Sequence, residues 1–512
     1  MAFHPIEDKR LQKLVNFEIA LGAFIGTLAT NIVNISLPSI SSYFGVDTGL
    51  VSWVALVYLL VLCSTIVVFG RLVDTNSFKK IFLAGFAVFT LASLLCGLSN
   101  NIHMLIASRA LQAVGGAMFI AVGPAMISTI LPPEIRGRSM GYLSIAAAVG
   151  IALGPGIGGY MTTFLSWRSI FFVNIPVCLF AIILGQRIIP NCPGSTIGKK
   201  IDLPGAFLLT VSLAGATFAL NMGHHLRLQH PMIIASILLF LTCGGAFLLR
   251  EGRISEPLLD LDLFRKKCFL YANMASMMSM LSMLVFAGAM FLLPFYLQAL
   301  RGYPADVAGL ILMAPPLVMI SIASFAGSFA DRHGTREICA AASTLSALSF
   351  VMLCTIDQST PLIFVIAYMV LMGSSITMFI SPNMSFIMGR CPDQRKGIGS
   401  SLTMGMRYLG SMIGVASYGA VYSAYLPETM QGASHLGFAA STSTALAFHN
   451  SFFLGIIFSF LMLIFSVMAP SGRAATYAEI QKMSVIKSED ELRHNVSEAW
   501  STSWLQLESA LS

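Results

Sequence analysis

Gly70-Arg71-Leu72-Val73-Asp74, followed by Lys79 and Lys80, returns 257 residues later as Gly327-Ser328-Phe329-Ala330-Asp331, followed by Arg332. Independently, Pro133 with Arg136 returns as Pro392 with Arg395, offset by 259 residues. Each charged segment lies between long apolar runs. Two loop pairs that agree on nearly one offset indicate a duplicated unit.

The surrounding runs state the medium. Of 512 residues, 56% are hydrophobic and 10% charged, against ~45–50% and ~25% in an ordinary soluble domain. A soluble enzyme is excluded. The runs lack the period-two alternation of an outer-membrane barrel, and helices are the other structure that satisfies its own backbone in lipid. At ~20 residues per crossing, the apolar content suffices for roughly fourteen spans. They fall near 14–37, 51–69, 81–98, 104–127, 140–162, 169–186, 204–222, 232–249, 271–294, 307–326, 338–355, 362–386, 402–424 and 452–469. The chain reads as an all-α polytopic membrane protein of the inner or plasma membrane.

Basic residues orient it. With the N-terminus inside, 25 of the 30 Lys and Arg lie in cytoplasmic segments and three (Arg168, Arg227, Arg301) on the opposite side, while Arg109 and Arg407 lie within spans. That asymmetry predicts both termini in the cytoplasm. The net charge of +7 is therefore topological and no sign of nucleic acid. The nine cysteines contain no Cys-x-x-Cys pair and indicate neither a disulfide framework nor a metal site. No cofactor is expected.

Helices one to six match nine to fourteen, which leaves seven and eight as a central insertion. The expected organisation is a cytoplasmic N-terminus (1–13), a six-helix bundle (14–190), a linker with two inserted helices (191–269), a second bundle (270–470) and a cytoplasmic tail (471–512). Residues 425–451, with His435 and His449, read as a long outer loop. Trp500 and Trp504 suit a short interfacial helix in the tail.

With these motifs the chain resembles the fourteen-helix drug:proton antiporter branch of the major facilitator superfamily over roughly residues 15–470. The Gly70–Lys80 loop is similar to the superfamily's signature between helices two and three. Arg109-Ala110-Leu111-Gln112-Ala113-Val114-Gly115-Gly116 resembles the branch's fourth-helix motif, and Gly150-x-x-x-Gly154-Pro155-x-x-Gly158-Gly159 its fifth-helix antiporter motif. Trp167-Arg168-x-x-Phe171-x-x-Asn174-x-Pro176 resembles the start of its sixth helix. The resemblance implies the major facilitator fold and export of small amphipathic or hydrophobic compounds by proton antiport. A periplasmic adaptor is a candidate partner by resemblance alone. The first helix departs from the pattern: in Thr27-Leu28-Ala29-Thr30-Asn31-Ile32-Val33-Asn34, Ala29 stands where the family's acidic residue is expected.

The residues themselves support specific roles, each beside a plainer one. Gly70, Arg71 and Asp74, with Gly327 and Asp331, lie at cytoplasmic helix ends, where a carboxylate can latch one conformation or lie in a solvated turn. Arg109 lies some six residues inside its span, ~9 Å, as a cavity charge or as a carbonyl-bonded structural arginine; Gln112, Asn31 and Asn34 are its candidate partners. Arg407 is nearer the inner end, where snorkelling explains it equally well. Gly150, Gly154, Pro155, Gly158 and Gly159 form a hinge or a close-packing face. Glu18 is the acidic residue inside a predicted span; it titrates or snorkels. A path without a central carboxylate is neutral to positive and favours neutral or anionic amphiphiles.

The leading expectation is thus a secondary active exporter coupled to protons, with a facilitator or importer of a specific metabolite as the alternative. No nucleophile, base and metal-ligand cluster of an intramembrane enzyme is present in the spans. For the latch, Asp74→Ala should lower transport about fivefold or more while membrane abundance, read by quantitative blotting, stays near wild type. Equal loss of both would assign Asp74 to folding.

Overall fold

The computed structural model describes residues 6, 8–75, 77–190, 202–226, 229–254, 267–390, 396–426 and 438–468. Within them the chain forms α1 (Lys9–Phe44), α2 (Thr48–Thr75), α3 (Phe78–Gly97), α4 (Ile102–Ile130), α5 (Pro133–Phe164), α6 (Ser169–Phe172), α7 (Asn174–Ile188), α8 (Leu203–Leu226) and α9 (Pro231–Glu251). The second part holds α10 (Lys267–Phe295), which runs into a π-helical turn (Tyr296–Leu300), then α11 (Ala305–Leu312), α12 (Ala314–His333), α13 (Thr335–Leu353), α14 (Leu362–Arg390), α15 (Lys396–Tyr425) and α16 (Phe438–Met468). The tail at 471–512, His435 and Arg227 lie outside the described residues.

Local chemistry sets the helix ends. The Asp8 carboxylate accepts from the Arg10 N–H at 2.8 Å, and α1 runs past Pro38 to Gly45, whose φ of 64° closes it. Asn101 caps α4 through the Met104 N–H, and Pro132 and Pro133 open α5, seven residues before the start expected from hydropathy. Position N1 needs no donor, so proline begins a helix well.

Thirteen helical segments among the described residues are long and apolar enough to cross a membrane. α6 with α7 forms one of them, and α11 with the first part of α12 another. Helix α15 has the length, 30 residues, but its Gly, Ser and Tyr content dilutes its hydropathy, and it packs among the others all the same. One expectation is corrected: residues 438–451 are helical, forming the start of α16, where a loop was expected. Tertiary packing overrides the Ser, Ala and Thr composition, because Phe448 meets Tyr422 at 4.7 Å and Tyr296 at 5.6 Å, and His449 Nε2 lies 2.8 Å from the Ile356 carbonyl.

The packing repeats as the offsets predict. α1 packs on α5 as α10 packs on α15; α4 lies against α2 and α3 as α14 lies against α12 and α13; α3 meets α7 as α13 meets α16. Two seams join the halves, α2 with α15 and α5 with α11 and α12. They are the same contact exchanged by the repeat. The inserted pair α8 and α9 pack on one another, and α8 touches both α2 and α15, through Asn221 Nδ2 to Ser52 Oγ at 2.9 Å and Thr217 Oγ1 to Met412 Sδ at 3.3 Å. The insertion borders a seam and belongs to neither half.

Glycine permits the closest pairings. A Cβ on Gly150, Gly154 or Gly158 would stand 2.6 Å from the Phe24 carbonyl, 2.9 Å from Asn31 Cβ and 2.6 Å from the Ile32 carbonyl, respectively, all on α1. Gly410 and Gly414 of α15 face the α10 backbone at Met280 and Leu284 in the same way. Gly159 and Pro155 turn to the other half instead, against Ala305 and Gly309. Gly154→Leu should therefore destabilise the protein by about 1–3 kcal/mol through overpacking, read as a lower thermal midpoint. Gly141→Leu, at a position with nothing within 4 Å, should leave the midpoint unchanged; equal drops would contradict this packing.

Candidate transport cavity

One end of the seam between the halves is clamped. Thr163 Oγ1 donates to Asp306 Oδ1 at 3.2 Å and accepts from the Asp306 N–H at 3.0 Å, joining the end of α5 to the start of α11. Gln298 Nε2 donates to the Ile35 carbonyl at 2.8 Å, joining the π-helical turn to α1. Gly159 against Ala305 and Gly309 against Pro155 bring the two backbones together there. Threonine 163 and Asp306 are 143 residues apart, so sequence carries no sign of this pair.

The other end is open. Added side chains at Gly70 near the end of α2, Gly137 and Gly141 near the start of α5, and Gly405 near the start of α15 would meet nothing within 4 Å. Tyr142, Ile145, Ile320 and Phe325 are exposed on α5 and α12 at that end. Among the described residues, Cys63 Sγ donates to the Gly405 carbonyl at 3.5 Å where α2 meets α15. Among the described residues, both halves thus present open surface toward the loops that carry Gly70–Lys80 and Gly327–Gly334. Gly70, Arg71 and Asp74 fall in the last turns of α2, and Gly327 and Asp331 in those of α12; the side chains of Arg71, Asp74 and Asp331 and the surroundings of Gly327 lie outside the described residues.

Arg109 does not open onto this space. It is 1% exposed, with Nε 3.1 Å from the Val54 carbonyl, Nη1 2.6 Å from Gln112 Oε1 and 3.4 Å from the Ala29 carbonyl, and its guanidinium 4.2 Å above the Tyr58 ring. Gln112 in turn donates to Ser93 Oγ at 2.7 Å. A guanidinium carries five donors and always a charge near neutrality; here backbone oxygens of α1 and α2, one amide and one aromatic face hold it. It ties α4 to α1, α2 and α3. Tyr58, Ser93 and Val54 are members of this site that sequence reading missed.

Asn31 and Asn34 are not part of that network. Asn31 Nδ2 donates to the Thr27 carbonyl at 2.8 Å, and Thr27 Oγ1 bonds the Ala147 carbonyl of α5 at 2.9 Å. Asn34 is half-buried and makes no hydrogen bond among the described residues. At 100° per residue, Thr27, Thr30, Asn31 and Asn34 share one face of α1, opposite the face of Glu18. Glu18 is fully buried against Gly185 of α7, and neither carboxyl oxygen has a partner among the described residues. It sits behind α1, away from the space between the halves.

Among the described residues, the face of α1 with Thr27, Thr30, Asn31 and Asn34 is polar and carries no acid. Groups of three or more His, Cys, Asp and Glu able to hold a metal are absent among the described residues.

Comparison with known proteins agrees. The family model described as Major Facilitator Superfamily matches residues 19–415. The chain is 30% identical to the riboflavin transporter RibZ of Clostridioides difficile (strain 630) over 88% of this chain and 95% of that protein. It is 28% identical to the multidrug resistance protein Stp of Mycobacterium tuberculosis (strain ATCC 25618 / H37Rv), covering 82% and 78%. Among solved structures, an inward-facing, unoccupied bacterial homologue of the human lysosomal transporter Spinster superposes with a TM-score of 0.64 at 13% identity, covering 90% of this chain and 97% of that one. The clamped and splayed halves, the repeat and the matched length make this chain a multi-pass membrane transporter, not an enzyme, and a member of the Major Facilitator Superfamily.

Proposed function

We propose that the chain is a secondary active transporter that exports small amphipathic or hydrophobic compounds by alternating access, driven by proton antiport. The observation that carries this is the pair of seams, closed at Thr163–Asp306 and open at Gly141 and Gly405. Residues 14–190 and 270–470 are the two rocking bodies. Because 25 of the 30 basic residues lie in the segments assigned to the cytoplasm, the Gly70–Lys80 and Gly327–Gly334 loops of the open end among them, that end faces the cytoplasm, and both termini lie there. Gly70, Arg71, Asp74, Gly327 and Asp331 gate the cytoplasmic end. Gly150, Gly154 and Gly158 slide or bend against α1, while Pro155 and Gly159 form the outer seam.

Proton exchange needs a group that titrates, and arginine does not. Among the described acidic side chains, Glu18 alone lies buried inside a span away from its ends, which makes it the proton site of this reading. The absence of a carboxylate at Ala29 favours a second reading, a facilitator or importer of a specific metabolite, in line with the name of the riboflavin transporter relative.

Flux of a neutral dye into reconstituted vesicles, with and without an imposed pH gradient, separates the two. Antiport predicts gradient-driven flux about tenfold above the ungraded rate, an effect of ~1.4 kcal/mol, and its loss in Glu18→Gln. Flux indifferent to the gradient in both proteins would assign the facilitator reading. A neutral to positive path should also disfavour lipophilic dications: cells expressing the protein should gain little resistance to a divalent quaternary ammonium. Strong resistance, unaltered by Ala29→Asp, would contradict it.

A further inference from the structure

The second intramembrane arginine differs from the first in every contact. Arg407 is half-buried on α15, and its one hydrogen-bond contact among the described residues is a 3.9 Å approach of Nη2 to the Met283 sulfur of α10. A thioether is a weak acceptor, so among the described residues the guanidinium keeps its donors nearly unused. Arg109, by contrast, has three oxygen acceptors and a ring.

Position removes the plainest explanation. Met283, at the level of Arg407, lies about twelve residues inside the apolar run that begins near residue 271, or ~18 Å along the helix. That exceeds what a side chain covers by snorkelling, and α15 itself starts at Lys396, earlier than hydropathy indicates.

Helix arithmetic gives the direction. Thr403, Gly410 and Gly414 of α15 face α10, where Thr403 Oγ1 lies 3.3 Å from Ser276 Oγ and the glycines meet the Met280 and Leu284 backbone. The Gly405 carbonyl meets Cys63 of α2, and Tyr408 packs against the apolar core that spans both halves and against that of the first half. Between those two faces runs the strip Met404, Arg407 and Ser411, spaced three and four residues apart. It looks into the space between the halves. Met404 is exposed, and the flank at Gly405 is open. Across that space stands the Thr30–Asn34 face of α1, without an acid, since residue 29 is Ala. Glu18 lies behind α1.

From this geometry we infer that Arg407 is the anchoring residue for an oxyanion, carboxylate or phosphate, carried by an otherwise apolar transported molecule. The inference rests on the transport reading and names its substrate class. A permanent charge in a low-dielectric path is costly without a counter-ion, and the described residues supply none. A planar guanidinium holds carboxylate or phosphate through two parallel hydrogen bonds. In the splayed state the site is reached from the Gly405 side, and the Met and Tyr side chains beside it hold the apolar body of the solute.

The test uses matched probes in proteoliposomes, with uptake by protein-free vesicles subtracted: 1-pyrenebutyrate against 1-pyrenebutanol, and riboflavin 5′-phosphate against riboflavin. The wild type should take up the anions saturably. Arg407→Gln should raise their half-saturating concentration about tenfold or more, the value of one lost charge-assisted contact, and leave the neutral partners unchanged; Arg407→Lys should lie between. Ser411→Asp, one turn along the strip, keeps the arginine and gives it an internal counter-ion, so it should reproduce the loss of anion uptake even where Arg407→Gln folds poorly. Wild-type half-saturation for anions in both variants, or equal loss of anions and neutrals, would overturn the inference. Saturable uptake of the neutrals without the anions by the wild type overturns it alone, with the transport reading intact. No uptake of any probe would overturn both.

Discussion

Inside a bilayer no water completes an unfinished hydrogen bond, so every polar group must be satisfied by protein or face a water-filled path. That constraint sorts this molecule. Arg109 is completed by the Val54 and Ala29 carbonyls, Gln112 and Tyr58, and becomes a strut among four helices. Arg407 and Asn34 have no such completion among the described residues, and in the proposed account both face the gap between the halves. The gap is where the protein can leave polar groups unsatisfied. A transporter needs such a place, and a packed bundle would not tolerate it.

The same rule explains how the halves can both hold and part. Within each half the pairing helices touch backbone to backbone, Gly150, Gly154 and Gly158 on α1 and Gly410 and Gly414 on α10. Such dispersion contacts are dense and hard to separate. Between the halves, the polar closures at the outer end among the described residues are one reciprocal Thr163–Asp306 pair and one amide bond from Gln298, beside a short glycine contact. One apolar cluster, with Val33 and Leu59 of the first half and Leu284 and Phe291 of the second, also spans the two halves. The insertion, bonded by Asn221 to Ser52 and by Thr217 to Met412, rides on the α2–α15 seam.

The sequence disclosed the architecture through its punctuation: the recurring Gly70–Asp74 and Gly327–Asp331 segments and the basic loops required a doubled bundle with an inserted pair, and the packing of α1 on α5 repeats as α10 on α15. Gln112 was legible as a neighbour of Arg109 because it stands one helical turn away. Val54 and Ala29 were not, since their contribution is a carbonyl that every residue owns. Glu18 and Asn31 differ by helix face, which periodicity reveals only once α7 and α5 are known to lie on opposite sides of α1. The helical start of α16 was hidden by its loop-like composition, and the Thr163–Asp306 clamp by sequence distance.

The central claim is that the two halves exchange which end is closed. Electron–electron resonance distances between spin labels, placed on cysteines in a background without the native ones, test it most directly. One pair reports the clamp side, at residues 160 and 310, and one the splayed side, at residues 141 and 325. The account predicts two distance populations for each pair, with the outer pair lengthening as the inner pair shortens when a transported solute is added to protein in lipid. Single, unchanging distances at both ends would contradict it.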